Sequence, residues 1–162
     1  MSSIEDLISN NRQYAESFTY GSLGSPPSRR LAVVTCMDAR IDVHRILGLS
    51  PGEAHIIRNA GGIVTDDVVR SLMISQVILG TKSIMIIQHT NCGMMSSEDD
   101  IKGRIESAIG VRPTFALHTF KDLEEEVRNN VARIKASPFI PNKDDVRGFV
   151  YDVKSGLLHE VS

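Results

Sequence analysis

Residues 36–40 read Cys-Met-Asp-Ala-Arg and residues 89–93 read His-Thr-Asn-Cys-Gly; together they hold both cysteines of the chain and one of its five histidines. Thiolate sulfur and imidazole nitrogen are ligands that zinc takes in a tetrahedron, and three protein ligands leave a fourth position for water or a displaceable carboxylate. Cys36, His89 and Cys92 are the candidate ligands and Asp38 the candidate carboxylate. If residues 36–40 run extended, alternation puts Cys36, Asp38 and Arg40 on one side. Arg40 can then hold Asp38 through a bidentate, charge-assisted pair. On this reading the thiol binds metal, the carboxylate faces the metal's open position, and the arginine decides where that carboxylate points. Taken singly, Cys36 is an ordinary small core residue and His89 an ordinary satisfied histidine. Their combination favours a metal. A redox pair is the weaker alternative, because no Cys-x-x-Cys is present and the thiols come from distant segments.

These residues need elements that bring them together. Apolar or aromatic side chains at 4, 7, 8, 14 and 18 make Ile4 to Phe18 a helical pattern with Ser2 and Ser3 as caps, broken by Gly-Ser-Leu-Gly-Ser-Pro-Pro-Ser. Residues 31–36 form a short apolar strand, 42–49 a helix stopped near Gly48, and 53–62 a second strand running into glycines. Residues 65–80 read as a buried helix with Thr65 as N-cap and Gly80 beyond its end, and 83–89 as a continuous apolar strand. Helices are expected over 99–108 and 120–136, and a closing hairpin over 146–161 turning at Lys154-Ser155-Gly156. Strand and helix alternate, so the expected fold is α/β: a mostly parallel sheet flanked by helices, with an antiparallel C-terminal edge and an N-terminal helical arm. In such sheets ligands gather at the carboxyl ends of strands, where both motifs lie. The two strands carrying them are either neighbours or one strand apart.

The chain has 162 residues, 41% of them hydrophobic and 23% charged, which suits a single domain over 1–162, with 1–24 as the arm. A formal net charge of -2 gives no footprint for nucleic acid or an anionic membrane. Neither a leader-like N-terminus nor a long apolar run is present, so the expected location is the cytoplasm, where a structural disulfide is disfavoured. No internal repeat or low-complexity segment occurs. Several other residues are weighed and set aside. Asp66 and Asp67 fit helix capping and dipole complementarity, and Glu124 to Glu126 a solvated helix face. Arg58-Asn59-Ala60-Gly61-Gly62 lacks the lysine and glycine spacing of a phosphate loop. For His44 and His55 a place in the pocket weighs no more than a packing or surface role, and His118 and His159 are more remote.

Cys-Met-Asp-Ala-Arg, Gly-Glu-Ala-His-Ile-Ile-Arg-Asn-Ala-Gly-Gly and His-Thr-Asn-Cys-Gly, in this order and at these separations, resemble the β-class carbonic anhydrases, most of all the short microbial members. The resemblance implies one zinc ion per subunit held by Cys36, His89 and Cys92, a catalytic dyad of Asp38 and Arg40, and a substrate contact from the Gly93 backbone N–H. Asp38 is then either the fourth zinc ligand in a closed state or paired with Arg40. The implied reaction is reversible hydration of CO2 to bicarbonate and a proton by zinc-bound hydroxide. Plant-type members line the pocket with glutamine, phenylalanine and tyrosine, where Pro27, His55 and Ile74 stand here. That departure keeps two alternatives: a carbonyl sulfide or carbon disulfide hydrolase releasing H2S, and a non-catalytic zinc-binding relative. The resemblance also implies a homodimer or a tetramer of paired dimers, with the N-terminal helix packed on a partner subunit.

Overall fold

The computed structural model describes residues 3–162. Helix α1, Ile4–Glu16, begins at a capping box: the Ser3 hydroxyl accepts from the Asp6 N–H, and the Asp6 carboxylate accepts from the Ser3 N–H. Ser2, the other expected cap, lies outside the described residues. The helix stops before Phe18 and buries none of its side chains.

Strands β1 (Leu31–Cys36), β2 (Ala54–Asn59), β3 (Ser83–His89), β4 (Val146–Tyr151) and β5 (Leu158–Glu160) form one sheet in the order β2-β1-β3-β4-β5. The first four are parallel, and β5 returns antiparallel on β4 as the expected hairpin. Central β1 and β3 are buried almost throughout, which explains why both read as unbroken apolar runs rather than alternating ones. Helices α2 (Val43–Leu47), α3 (Asp66–Val77), α4 (Glu98–Ile109) and α5 (Leu123–Ala136) complete the alternation. Each starts on a residue whose side chain accepts a backbone N–H: Asp42, Thr65, Ser97 and Asp122. Gly48 ends α2 in the left-handed conformation.

Two apolar cores lie on the two faces of the sheet. One gathers Ala32 and Val34 of β1 with Val68 and Leu72 of α3 and Val131 and Ile134 of α5. The other gathers Val33, Ile87, Ile41, Val43, Phe120 and Tyr151 around Cys36 and Cys92. Alternation along β1 sends Ala32 and Val34 to the first core and Val33 to the second, while Cys36, the last residue of the strand, departs from that alternation and joins the second core. No helix among the described residues is long and apolar enough to cross a membrane.

Candidate metal centre

Cys36 ends β1 and His89 ends β3, and β1 and β3 are hydrogen-bonded neighbours. Of the two spacings left open by the sequence, the structure has the closer one. After His89 the chain turns tightly at Asn91, whose φ of 54° is left-handed, and brings Cys92 back to the strand end. One ligand atom from each of Cys36, His89 and Cys92 lies within 4.8 Å of the others, and all three residues are buried. The imidazole is oriented from behind: Nδ1 lies 2.9 Å from the Thr90 carbonyl, which only an N–H can satisfy, so Nε2 is left with a lone pair. That Nε2 is buried without a hydrogen-bond partner. Two sulfurs and a buried, unpartnered imidazole nitrogen are a donor set that fits zinc.

Asp38 and Arg40 form the expected pair. Arg40 Nε donates to Asp38 Oδ1 at 2.9 Å and Arg40 Nη2 to Asp38 Oδ2 at 2.7 Å, while Nη2 also reaches the Asn91 carbonyl at 3.0 Å. The expected reason is corrected: residues 36–40 do not run extended throughout, because β1 ends at Cys36 and the chain turns at 39–40, where the Ile41 N–H donates to the Asp38 carbonyl at 3.1 Å. The Arg40 backbone N–H donates to Asp38 Oδ1 at 2.9 Å, so the aspartate builds the turn that returns the guanidinium to it. Asp38 Oδ2 stands 3.7 Å from His89 Nε2, at the edge of the donor cluster and outside it.

Two supports were not assigned from the sequence. Arg58 of β2 donates to three backbone carbonyls, those of Cys36 at 2.9 Å, Ile41 at 3.0 Å and Asp38 at 2.7 Å, and so stitches the loop that carries the dyad. The Gly61 N–H donates to Cys36 Sγ at 3.3 Å, and Gln88 Nε2 holds the Gly61 carbonyl at 2.8 Å. The glycine pair after β2 is therefore a cradle for a sulfur rather than for a phosphate. A Cβ on Gly62 would meet the Cys36 nitrogen and the Thr35 carbonyl carbon at 2.9 Å, and its φ is 64°. The position of Arg58 at a strand end was the available signal; its acceptors are backbone atoms, which no side-chain pattern encodes.

A cavity of about 880 Å³ opens over the thiols. Asp38, Arg40, Gly61 and Gly93 line it together with Ile101, Arg104, Ile105 and Ala108 of α4. The remaining pocket candidates are not brought to it within the chain. His55 and Ile74 line a separate cavity of about 260 Å³, where His55 Nδ1 is 2.7 Å from the Ser75 hydroxyl. Pro27 is buried in the segment before β1. His44 Nδ1 lies against the Leu49 carbonyl at the end of α2.

The electrostatics favour charge at Cys36 and oppose it at Cys92. The adjoining Cys92 thiol brings Cys36 down to about 4 against the opposing effect of burial, with His89 and the Asp38 and Gly61 N–H groups adding to it. The Cys36 thiolate and burial push Cys92 up. Burial works against protonation of His89, yet the neighbouring Cys36 thiolate and the Thr90 carbonyl carry it upward. The Arg40 hydrogen bonds hold Asp38 well below the usual carboxylate range.

A protein-family model described as carbonic anhydrase matches residues 31–158. The chain is 48% identical over 163 residues to β-carbonic anhydrase 1 of Mycobacterium tuberculosis, covering 100% of this chain and 99% of that protein. It is 35% identical over 162 residues to a carbon disulfide hydrolase of Saccharolobus solfataricus, covering 85% of this chain and 79% of that one. The crystal structure of carbonic anhydrase from Streptococcus mutans superposes with a TM-score of 0.94 at 40% identity, over 100% of this chain and 99% of that chain.

Proposed function

The chain belongs to the β-class carbonic anhydrase family, and from that premise we propose that it catalyses the reversible hydration of CO2 to bicarbonate and a proton. The observation that carries this reading is Asp38, locked by Arg40 at the edge of a Cys36–His89–Cys92 donor set. Cys36, His89 and Cys92 would hold one zinc ion per subunit. When bound, the metal supplies a Lewis acid that makes water nucleophilic near neutral pH.

The chain's own residues supply the rest. Asp38 cannot donate a proton in its ionised form, so it accepts a hydrogen bond from the attacking water and orients one lone pair toward carbon. Arg40 keeps both carboxylate oxygens fixed and thereby keeps Asp38 from swinging onto the metal as a fourth ligand, the closed alternative. The Gly93 N–H is assigned to an oxygen of the substrate, where negative charge grows as the C–O bond forms. Ile101, Ile105 and Ala108 present an apolar wall to a small neutral molecule. The proton released on hydration leaves to solvent through the open cavity.

A carbonyl sulfide or carbon disulfide hydrolase that releases H2S is the second reading, favoured by the carbon disulfide hydrolases among the relatives. The two linear substrates offer the site few polar handles to tell them apart. A zinc-binding relative without turnover is disfavoured by the assembled dyad. For the assembly we propose a homodimer, or a tetramer built from two dimers, in which α1 packs on a partner and His55 and Ile74 contribute to the neighbour's pocket. Both thiols are free, and a ligand set of free thiols suits the reducing cytoplasm. No nucleic acid or membrane partner is proposed.

Stopped-flow CO2 hydration by the zinc-loaded protein, with Cys36→Ser as the blank, tests the reading. A fast zinc-dependent rate is expected. A rate equal to the blank, together with H2S release from carbonyl sulfide, would transfer the assignment to the hydrolase.

A further inference from the structure

Helix α4 lays Ile101, Arg104, Ile105 and Ala108 along the metal cavity. They stand at i, i+3, i+4 and i+7, the spacing of a single helix face. A face that only closes a cavity is apolar, and three of these four residues are. The fourth carries a guanidinium.

The other guanidiniums near the centre are already committed. Arg40 holds Asp38 and the Asn91 carbonyl, and Arg58 spends three nitrogens on backbone carbonyls. Around α4 the ion pairs are Lys102 with Glu98 and Arg112 with Asp99 and Glu106. Arg104 takes part in no ion pair or side-chain hydrogen bond among the described residues. It also borders an outer groove with Asp99, Asp100, Gly103 and Ser107, so it stands at the rim, where the cavity meets solvent.

An incoming neutral triatomic has no use for a cation at that rim. The product of the proposed reaction is an anion that must leave past the negative Asp38. We propose that Arg104 is a binding site for small monovalent oxyanions, bicarbonate above all, at the mouth of the cavity. This deepens the CO2 reading and rests on it. The planar fork of a guanidinium matches two coplanar oxygens of bicarbonate, a contact that neither CO2 nor carbon disulfide can return. The site is built to be transient. Asp99 is occupied by Arg112, while Asp100, one turn before Arg104 on the same helix and not paired with it, places a negative charge nearby that weakens the hold on an anion.

The test measures CO2 hydration by the zinc-loaded protein with bicarbonate added as product inhibitor, in the wild type, Arg104→Ala and Arg104→Lys. In Arg104→Ala the bicarbonate inhibition constant rises roughly 3–5-fold, as expected for loss of one charge-assisted contact at an exposed site. The KM for CO2 stays within about twofold, since no interaction with the neutral substrate has been removed. Arg104→Lys falls between the two, keeping the charge and losing the fork. An unchanged inhibition constant in Arg104→Ala, or a matching rise in the KM for CO2, overturns the proposal; the second result would make Arg104 part of the wall and nothing more. Equilibrium binding separates this outcome from failure of the activity reading. In a 1H–15N titration of the zinc-loaded wild type, bicarbonate shifts the Arg104 Nε–H signal saturably, whether or not the protein turns over CO2. No such shift overturns the anion site.

Discussion

In the proposed reaction Asp38 carries the chemistry because of what Arg40 does to it. The hydrogen bonds from Arg40 depress its pKa, so the pair's contribution is fully present above the unfolded carboxylate value and is lost only as pH falls through the still lower folded value. Across the neutral range the carboxylate is therefore an acceptor and never an acid. Asp38→Asn replaces one acceptor oxygen by a donor, disturbs both the Arg40 pair and the water contact, and leaves all three metal donors in place. Its CO2 hydration kcat should fall by about 10²-fold or more, with zinc content by atomic absorption unchanged. Zinc lost in proportion to activity would make Asp38 a ligand first.

At the scale of elements, positions are set by close backbone approach. Gly62 has no room for a Cβ against Thr35 and Cys36, and its φ is left-handed. Gly62→Ala should cost about 2–4 kcal/mol in denaturant unfolding, and it should weaken zinc binding because the clash bears directly on Cys36. A stable variant with native zinc affinity would refute the cradle. Helix α5 provides a pH-dependent element. Burial pushes Glu126 up against the lowering effect of Asn130, whose Nδ2 donates to it at 3.0 Å while Asn130 Oδ1 accepts from the Val64 N–H at 2.6 Å. A carboxyl whose folded pKa is raised gives stability below its unfolded pKa of 4.5 that is lost as pH rises through the folded value. Glu126→Gln keeps the acceptor oxygen and removes the charge. It should melt higher than wild type at neutral pH, with the gap closing toward about pH 4 in thermal scans; a gap that widens on acidification would reverse the sign.

Element order was legible because each signal was local: apolar β-branched runs for β1 and β3, cap residues before α1 and α3, and glycines at Gly48 and Gly156. The Asp38–Arg40 pair was legible for a different reason than its true one, since period-two alternation and a tight turn both bring residues two apart onto one side. Strand adjacency was not legible. Whether β1 and β3 touch is decided by which pairing buries both strands on both faces, a property of the whole sheet. The role of Arg58 was not legible because its partners are carbonyls made available by a loop shape that its own contacts stabilise.

At the scale of the whole molecule, α1 is the part that does not fit a solitary chain. Ile4, Leu7 and Ile8 share one helix face and are exposed at 71%, 56% and 48%. Tyr14 and Phe18, whose ring centroids are 5.6 Å apart, extend the apolar surface and are also exposed. An arm of this composition gains by burial against a second subunit, and a single chain leaves that gain unrealised. Leu7→Asp with Ile8→Asp, placed where they touch nothing in the chain's own cores, should convert an oligomer to monomer by light scattering while far-ultraviolet circular dichroism stays native. An oligomeric mass that survives the double substitution would remove α1 from the interface.

The candidate metal donors and the cavity wall belong to parts of the molecule with different freedom to change. Cys36 and His89 end strands that run through the middle of the sheet, and Cys92 is buried beside them. Helix α4 buries no residue at all. Mutational drift along its exposed sequence, Arg104 included, can accumulate at little risk to folding, while drift at the donors is purged by the core they share. A lineage with this architecture inherits its reactive centre intact and can explore new substrates one α4 residue at a time.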